Sequence, residues 1–151
     1  MTNDLLFNGC FDLTHPGHFL AIQNISAVRS LYYPDSKLIL GLHSNDEIFS
    51  KKGTVSVYTD QEKICILNSL KYVDGLLLNI PYTVVTVDWL DSHGISKVIH
   101  GNDKVSLNGV DMYGNIGNRY LEIQRTLDIS TTDLIDKIID KTQPSQSSPT
   151  S

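Results

Sequence analysis

Two histidines three residues apart, His15 and His18, follow the first apolar run of the chain, in the stretch NGCFDLTHPGH. Pro16 suits the first position of a helix, so His15 is predicted to be its N-cap, with Gly17 leaving room for a ligand near the backbone. A helix N-terminus offers N–H donors and a partial positive charge, to which two imidazoles add further donors. The stretch therefore predicts a phosphate site; a chance spacing at a helix start is the alternative.

A second stretch with similar chemistry, RTLDISTTDLI, occupies residues 125–135. Ser130 and Asp133 have the spacing of a capping box at a helix start. Capping accounts for these two residues but not for Arg125 and Thr126, which precede them. An arginine and several hydroxyl groups at a helix start predict a second phosphate cradle.

The elements that must position these segments follow from alternating apolar runs and helical periodicities. We predict strands at 4–7, 37–43, 73–80, 96–102 and 119–124. Helices are predicted at 18–33, at 60–73 with Asp60 as the cap, at 85–94 (a short helix) and at 130–141. A polar loop is predicted at 44–59 and a second loop at 103–115. This alternation predicts an α/β fold with a doubly wound, Rossmann-like parallel sheet in a single domain, residues 1–141. Residues 142–151, rich in proline and serine, are predicted to be a flexible tail or a truncated linker.

In doubly wound sheets, ligands bind in the crevice beyond the carboxyl ends of the strands. Four polar segments follow predicted strands, namely residues 8–18, 42–52, 100–103 and 124–132. We therefore expect all four to converge on one crevice.

Composition narrows the class of protein. The 151 residues carry a net charge of −5, which argues against a broad nucleic-acid surface. Cys10 and Cys65 lie far apart without metal-ligand spacing, so they predict buried thiols in a reducing compartment. Neither a leader nor a membrane-spanning run is recognised, and a cytoplasmic protein is expected.

The two histidine- and serine-bearing stretches together resemble the cytidylyltransferase family, which has an HxGH signature early and an RTxGIST-type signature late. The likeness extends over about residues 5–141 and includes KG at 52–53, KYVDG at 71–75 and IPY at 80–82. HGND at 100–103 followed by NGVDMY looks most like the amino-terminal catalytic domain of the family's ethanolamine-phosphate branch. The resemblance implies an HxGH nucleotidyltransferase fold and nucleotidyl transfer from CTP to phosphoethanolamine, giving CDP-ethanolamine and pyrophosphate.

The resemblance also implies which residues act. Catalytic roles fall to His15, His18, Lys52 and Arg125, which would hold the phosphates and stabilise the transition state. Contacts with CTP or the phosphate ester are implied for Asn8, Gly9, Cys10, Phe11, Asp12, Gly17, Tyr82, His100, Gly101, Asn102, Asp103, Gln124, Thr126, Ile129, Ser130, Thr131 and Thr132. Mg²⁺ would accompany CTP, no metal site belongs to the protein itself, and the region around KYVDG would pair two copies into a homodimer.

Several positions depart from the family pattern. Asn8 stands where amino-alcohol enzymes usually have an aspartate, Lys63 replaces an arginine, and Asp128 replaces a glycine. Lys52 could be an ordinary solvated residue, and Asp12 could be a turn residue or could orient a histidine. Two other functions stay open: transfer of an adenylyl or cytidylyl group to glycerol phosphate, phosphocholine or a sugar phosphate, and a nucleotide-binding regulatory domain without turnover.

Overall fold

The main sheet is parallel throughout and confirms the predicted α/β architecture. The computed structural model describes residues 3–102, 105–124 and 130–143. The strands are β1 (Asp4–Gly9), β2 (Leu38–Leu42), β3 (Gly75–Leu78), β4 (Ile95–Gly101), β5 (Ser106–Leu107), β6 (Val110–Asp111) and β7 (Tyr120–Ile123). Five of them form one sheet in the order β3-β2-β1-β4-β7, whereas β5 and β6 form a separate antiparallel pair.

Strand order reverses at β1, the central strand. β2 and β3 extend the sheet on one side of β1, and β4 and β7 extend it on the other. The carboxyl ends stay level across the sheet, with Gly9 beside Leu42 and Gly101 beside Ile123. This reversal creates the crevice in which ligands of such sheets bind.

Helices cover both faces of the sheet. They are α1 (Pro16–Tyr32), α2 (Asn45–Lys52), α3 (Asp60–Asn68), α4 (Val87–Ser92) and α5 (Thr131–Thr142). Leu5 and Leu6, adjacent in β1, point to opposite faces and are both fully buried. Leu5 packs in a core with Ile22 and Leu67 of α1 and α3, and Leu6 packs with Leu90 of α4. Burial on both faces explains the unbroken apolar runs of the strands.

The prediction of a polar loop at 44–59 was wrong for the first half of that segment, because residues 45–52 form α2. Ser44 is the N-cap and accepts a hydrogen bond from Glu47 N, while Gly53 ends the helix with φ 70°. Only Ile48 and Phe49 are apolar in this helix, so no helical periodicity marks it. The Ser44–Glu47 spacing of a capping sequence was the available signal.

The structure also differs from the prediction in α3 and in the loop at 103–115. Thr59, not Asp60, caps α3, and the helix ends at Asn68 rather than at residue 73. The predicted loop at 103–115 contains the β5–β6 hairpin, whose turn residues Asn108 and Gly109 both have positive φ. Asn-Gly is the preferred pair for such a turn, so the sequence carried this signal. No helix in the described ranges is long and apolar enough to cross a membrane.

Candidate active site

The start of α1 holds its two histidines through backbone hydrogen bonds, as the sequence predicted for His15. His15 Nδ1 accepts a hydrogen bond from Gly17 N at 3.0 Å, and His18 Nδ1 accepts one from His15 N at 3.2 Å. The ring centroids lie 4.1 Å apart. Because each Nδ1 is an acceptor, the neutral rings carry their protons on Nε2.

This arrangement makes both Nε2 atoms N–H donors next to the N-terminus of a helix. His15 is only 6% exposed, so packing restricts its orientation. The partial positive charge of the helix start favours an anion at the same place. In this tautomer each ring carries an Nε2–H group, which is the kind of donor that binds phosphate oxygens.

Asp12 joins two of the four predicted segments and also binds the connection between α2 and α3. Its carboxylate oxygens accept hydrogen bonds from Val57 N at 2.8 Å and Tyr58 N at 2.9 Å, and its carbonyl oxygen accepts one from Thr131 Oγ1 at 2.9 Å. The expected convergence of the first and last segments is thus confirmed for Thr131. Asp12 was predicted to touch substrate, to orient a histidine or to be a turn residue, and its carboxylate binds backbone amides 45 and 46 residues away. Its contact with substrate stays a prediction.

Lys52 lies at the end of α2 and is exposed. Its Nζ is 5.8 Å from the centroid of the Tyr82 ring, within range of a cation–π interaction. Tyr82 is 9% exposed and packs in the apolar core. The ammonium group of Lys52 therefore lies beside a residue for which the family resemblance implies a contact with CTP or the phosphate ester.

His43, directly after β2, is a site residue that the sequence analysis missed. Its Nδ1 donates to the Ile80 carbonyl oxygen at 2.7 Å, its backbone N donates to Gly9 O at 3.3 Å, and its ring is 5.0 Å from that of Tyr82. Burial lowers the pKa of His43, so the ring is neutral near neutral pH. Its place at the carboxyl end of an apolar strand was the signal that could have found it.

Asn8 is buried, at 4% exposed, and its Oδ1 accepts a hydrogen bond from the Tyr113 hydroxyl at 2.9 Å. Tyr113 was also missed, and its ring packs 5.2 Å from that of His100 and 5.3 Å from that of Tyr120. Burial raises the pKa of the Tyr113 hydroxyl, which therefore stays neutral. Asn8 and Tyr113 form an uncharged polar pair between β1 and the segment after β6.

Phe11 and Cys10, which lie between Asn8 and the histidines, differ in how far they are buried. Phe11 is 3% exposed and has φ 52°, and its ring packs 5.7 Å from that of Phe7 and 5.9 Å from that of His18. The residue as a whole is therefore buried beside the histidines. Cys10 is half-buried, and burial raises the pKa of its thiol. Cys65, in α3, is exposed, so the prediction of a buried thiol was wrong there.

The other predicted contacts surround the same edge of the sheet. His100 Nδ1 donates to Gly101 O at 3.1 Å. Asn102 and Gln124 are exposed just beyond the ends of β4 and β7. These positions fit the expected crevice.

At the start of α5, Ser130 accepts a hydrogen bond from Asp133 N at 3.1 Å, which confirms the predicted capping box. Thr132 is exposed beside it. The predicted residues Asp103, Arg125, Thr126 and Ile129 lie outside the described residues.

The described residues contain no group of three or more His, Cys, Asp or Glu side chains able to hold a metal ion. The nearest carboxylate to the histidines in sequence, Asp12, already accepts two backbone N–H groups.

The doubly wound parallel sheet, with a histidine pair at the start of its first helix, defines an α/β domain that carries an HxGH sequence. The family model described as cytidylyltransferase-like matches residues 6–137. The chain belongs to this family.

Curated relatives align with most of this chain. It is 33% identical over 144 residues to the ethanolamine-phosphate cytidylyltransferase of Mus musculus, covering 93% of this chain and 34% of that protein. The ethanolamine-phosphate cytidylyltransferase of Saccharomyces cerevisiae is 33% identical, and the alignment covers 89% of this chain and 41% of that protein. The choline-phosphate cytidylyltransferase of the same yeast is 34% identical, with 87% and 30% covered. The chain thus spans between three and four tenths of the length of these relatives.

Two solved structures share the fold at 13% sequence identity. A macrolide-efflux protein from Streptococcus pneumoniae superposes with a TM-score of 0.64, covering 93% of this chain and 53% of that one. A lipopolysaccharide core biosynthesis protein from Thermoplasma volcanium GSS1 gives a TM-score of 0.53, with 93% and 89% covered. At this identity the likeness concerns the fold alone.

Proposed function

We propose that this chain transfers the cytidylyl group of CTP to phosphoethanolamine, forming CDP-ethanolamine and pyrophosphate. The observation that carries the proposal is the histidine pair at the start of α1, whose Nδ1 atoms are both hydrogen-bond acceptors. Membership of the cytidylyltransferase-like family supports CTP as the nucleotide. The names of the ethanolamine-phosphate relatives support the phosphate ester.

In the proposed reaction, a phosphate oxygen of phosphoethanolamine attacks the α-phosphorus of CTP. The new P–O bond forms as the bond from the α-phosphorus to the bridging oxygen breaks, and pyrophosphate leaves with that electron pair. His15 and His18 donate Nε2–H hydrogen bonds to oxygens on which charge develops, and Lys52 neutralises charge on the triphosphate. Catalysis is positioning and electrostatics, with no covalent enzyme intermediate.

The remaining predicted contacts complete the proposal. Arg125 and Thr126 would bind the outer phosphates, and Gly101, Asn102 and Asp103 would face the cytidine. Mg²⁺ would enter with CTP and offset its charge. The free Cys10 and Cys65 fit a cytoplasmic location. Pairing of two copies through the region around KYVDG stays a prediction.

Phosphocholine is the second candidate for the phosphate ester. Choline-phosphate cytidylyltransferases are also among the relatives, at 33% and 34% identity. The buried pair formed by Asn8 and Tyr113 places no formal charge opposite an amino alcohol. A primary ammonium differs from the trimethylated group by three N–H donors, which need acceptors such as the Asn8 oxygen.

Turnover with a panel of phosphate esters tests the proposal. With CTP and Mg²⁺, pyrophosphate release should be faster with phosphoethanolamine than with phosphocholine, glycerol phosphate or a sugar phosphate. Replacing CTP with ATP should remove most of the turnover. Faster use of another ester would overturn the substrate, whereas CTP binding without release of pyrophosphate from any ester would favour a regulatory domain.

Asn8→Asp tests where the ammonium group binds. Aspartate keeps an acceptor for Tyr113 and adds a charge that an ammonium can compensate. A charge-assisted hydrogen bond gains about 1 kcal/mol over a neutral one, so KM for phosphoethanolamine should fall about fivefold while KM for CTP stays the same. The buried charge should lower the Tm of the free protein.

Asn115→Asp, at an exposed position, is the matched control and should change neither quantity. A lower Tm with an unchanged KM for phosphoethanolamine would show that the ammonium does not approach Asn8.

A further inference from the structure

Lys63 and Asp12 connect the segment that carries Lys52 to the loop that carries the histidines. We propose that these two residues are positioning residues, which act on nucleotidyl transfer by joining the segment that ends α2 at Lys52 to the loop that carries His15 and His18. The inference rests on the proposed function.

Lys63, in α3, is fully buried, so its ammonium group cannot reach a nucleotide in the crevice. Its Nζ donates hydrogen bonds to Asn45 Oδ1 at 2.7 Å and to Ser56 Oγ at 3.1 Å. Asn45 is the first residue of α2, and Ser56 lies in the connection between α2 and α3. One buried lysine thus binds the start of α2 and the chain that follows Lys52.

Further hydrogen bonds close this unit, which we call the α2–α3 unit (residues 45–63). Asn45 N donates to Asp60 Oδ1 at 2.9 Å, and Asn45 Nδ2 donates to Tyr58 O at 2.8 Å. The start of α2, the connection and the start of α3 are therefore held together around Lys63. Lys52 is the last residue of α2, so these hydrogen bonds restrict the position of its backbone.

Asp12 attaches the unit to the histidine loop. Its two carboxylate oxygens accept the amides of Val57 and Tyr58, and it precedes His15 by three residues. The negative charge of Asp12 complements the positive charge of Lys63. Burial lowers the pKa of Lys63, whereas the nearby Asp12 carboxylate raises it, with smaller contributions from Cys10 and Asp60. A buried cation requires such compensation. Neutralising either residue should loosen the attachment.

A double-mutant cycle tests whether the two residues act through Lys52. In the otherwise unchanged protein, Asp12→Asn and Lys63→Met should each lower kcat/KM for CTP by about tenfold, because small displacements of a positioned group are costly. In a Lys52→Ala background, each should lower it by less than about twofold, since the group they position is gone. Lys63→Arg, which keeps the charge and the donors, should retain most of the activity.

Asp35→Asn and Lys37→Met, at exposed positions, are the matched controls and should leave kcat/KM unchanged. A full tenfold loss in the Lys52→Ala background would overturn the inference, because the residues would then act independently of Lys52.

Hydrogen exchange separates this inference from the proposed function. The Val57 and Tyr58 amide hydrogens should exchange about tenfold faster in Asp12→Asn than in the unchanged protein, because they lose part of their acceptor. Unchanged exchange overturns the inference whether or not the protein turns over CTP. Absence of turnover in the unchanged protein would instead refute the proposed function.

Discussion

His15→Asn is expected to lower kcat by about two orders of magnitude while the free energy of unfolding stays within about 0.5 kcal/mol. Asparagine is a good N-cap, and its side-chain oxygen can replace Nδ1 as the acceptor for Gly17 N. It has no group at the position of Nε2, so the donor to the reacting phosphate is lost. Steady-state turnover with CTP and phosphoethanolamine, and denaturant unfolding, measure the two effects separately.

His15→Ala removes the cap as well, and should cost about 1 kcal/mol of stability in addition to the loss of turnover. His18→Ala should also lower kcat by about two orders of magnitude. His93→Asn is the control, because His93 is exposed and stacks on Trp89 at the end of α4. Near-normal turnover in His15→Asn would remove the donor role proposed for Nε2.

Gly41→Ala is expected to destabilise the protein by about 2 kcal/mol, since extra atoms in a packed core force strain on their neighbours. A Cβ at Gly41 in β2 would overlap Ile80 Cδ1, and would lie 2.9 Å from Asn8 Cβ and 3.0 Å from Leu6 Cδ1. All three neighbours are buried, so none can turn towards solvent. Denaturant unfolding measures the loss.

Gly114→Ala is the matched control, because its Cβ would be 3.5 Å from the nearest atom, Asp111 Cβ. Adding Ile80→Val to Gly41→Ala removes the overlapping Cδ1 and should recover part of the stability. Equal unfolding free energies for Gly41→Ala and the unchanged protein would contradict the close packing beneath Asn8.

Local chemistry explains why the histidine site could be predicted. The capping bonds of His15 and His18 join atoms no more than three residues apart. The capping box at Ser130 and Asp133 spans the same short distance. Proline, hydroxyl and carboxylate side chains at such spacings act on the adjacent backbone, so their pattern is visible in the sequence.

The role of Asp12 could not be predicted in this way. A carboxylate early in a loop is consistent with turn formation, with histidine orientation or with ligand binding. The actual partners, Val57 and Tyr58, follow a helix that the sequence pattern did not show. Lys63 presents the same difficulty, because a lysine in a helix is usually exposed, whereas tertiary structure buries this one and gives it Asn45 and Ser56 as hydrogen-bond partners.

The sequence by itself determined the fold class, the start of α1 and the start of α5, because apolar runs, helical periodicities and caps depend on neighbouring residues. Tertiary structure decided which distant groups meet. Tyr113, 105 residues after Asn8, donates a hydrogen bond to the side-chain oxygen of this predicted contact residue. Such pairings depend on the strand order β3-β2-β1-β4-β7 and on the path of the loops between the strands, and no local pattern of residue types encodes either.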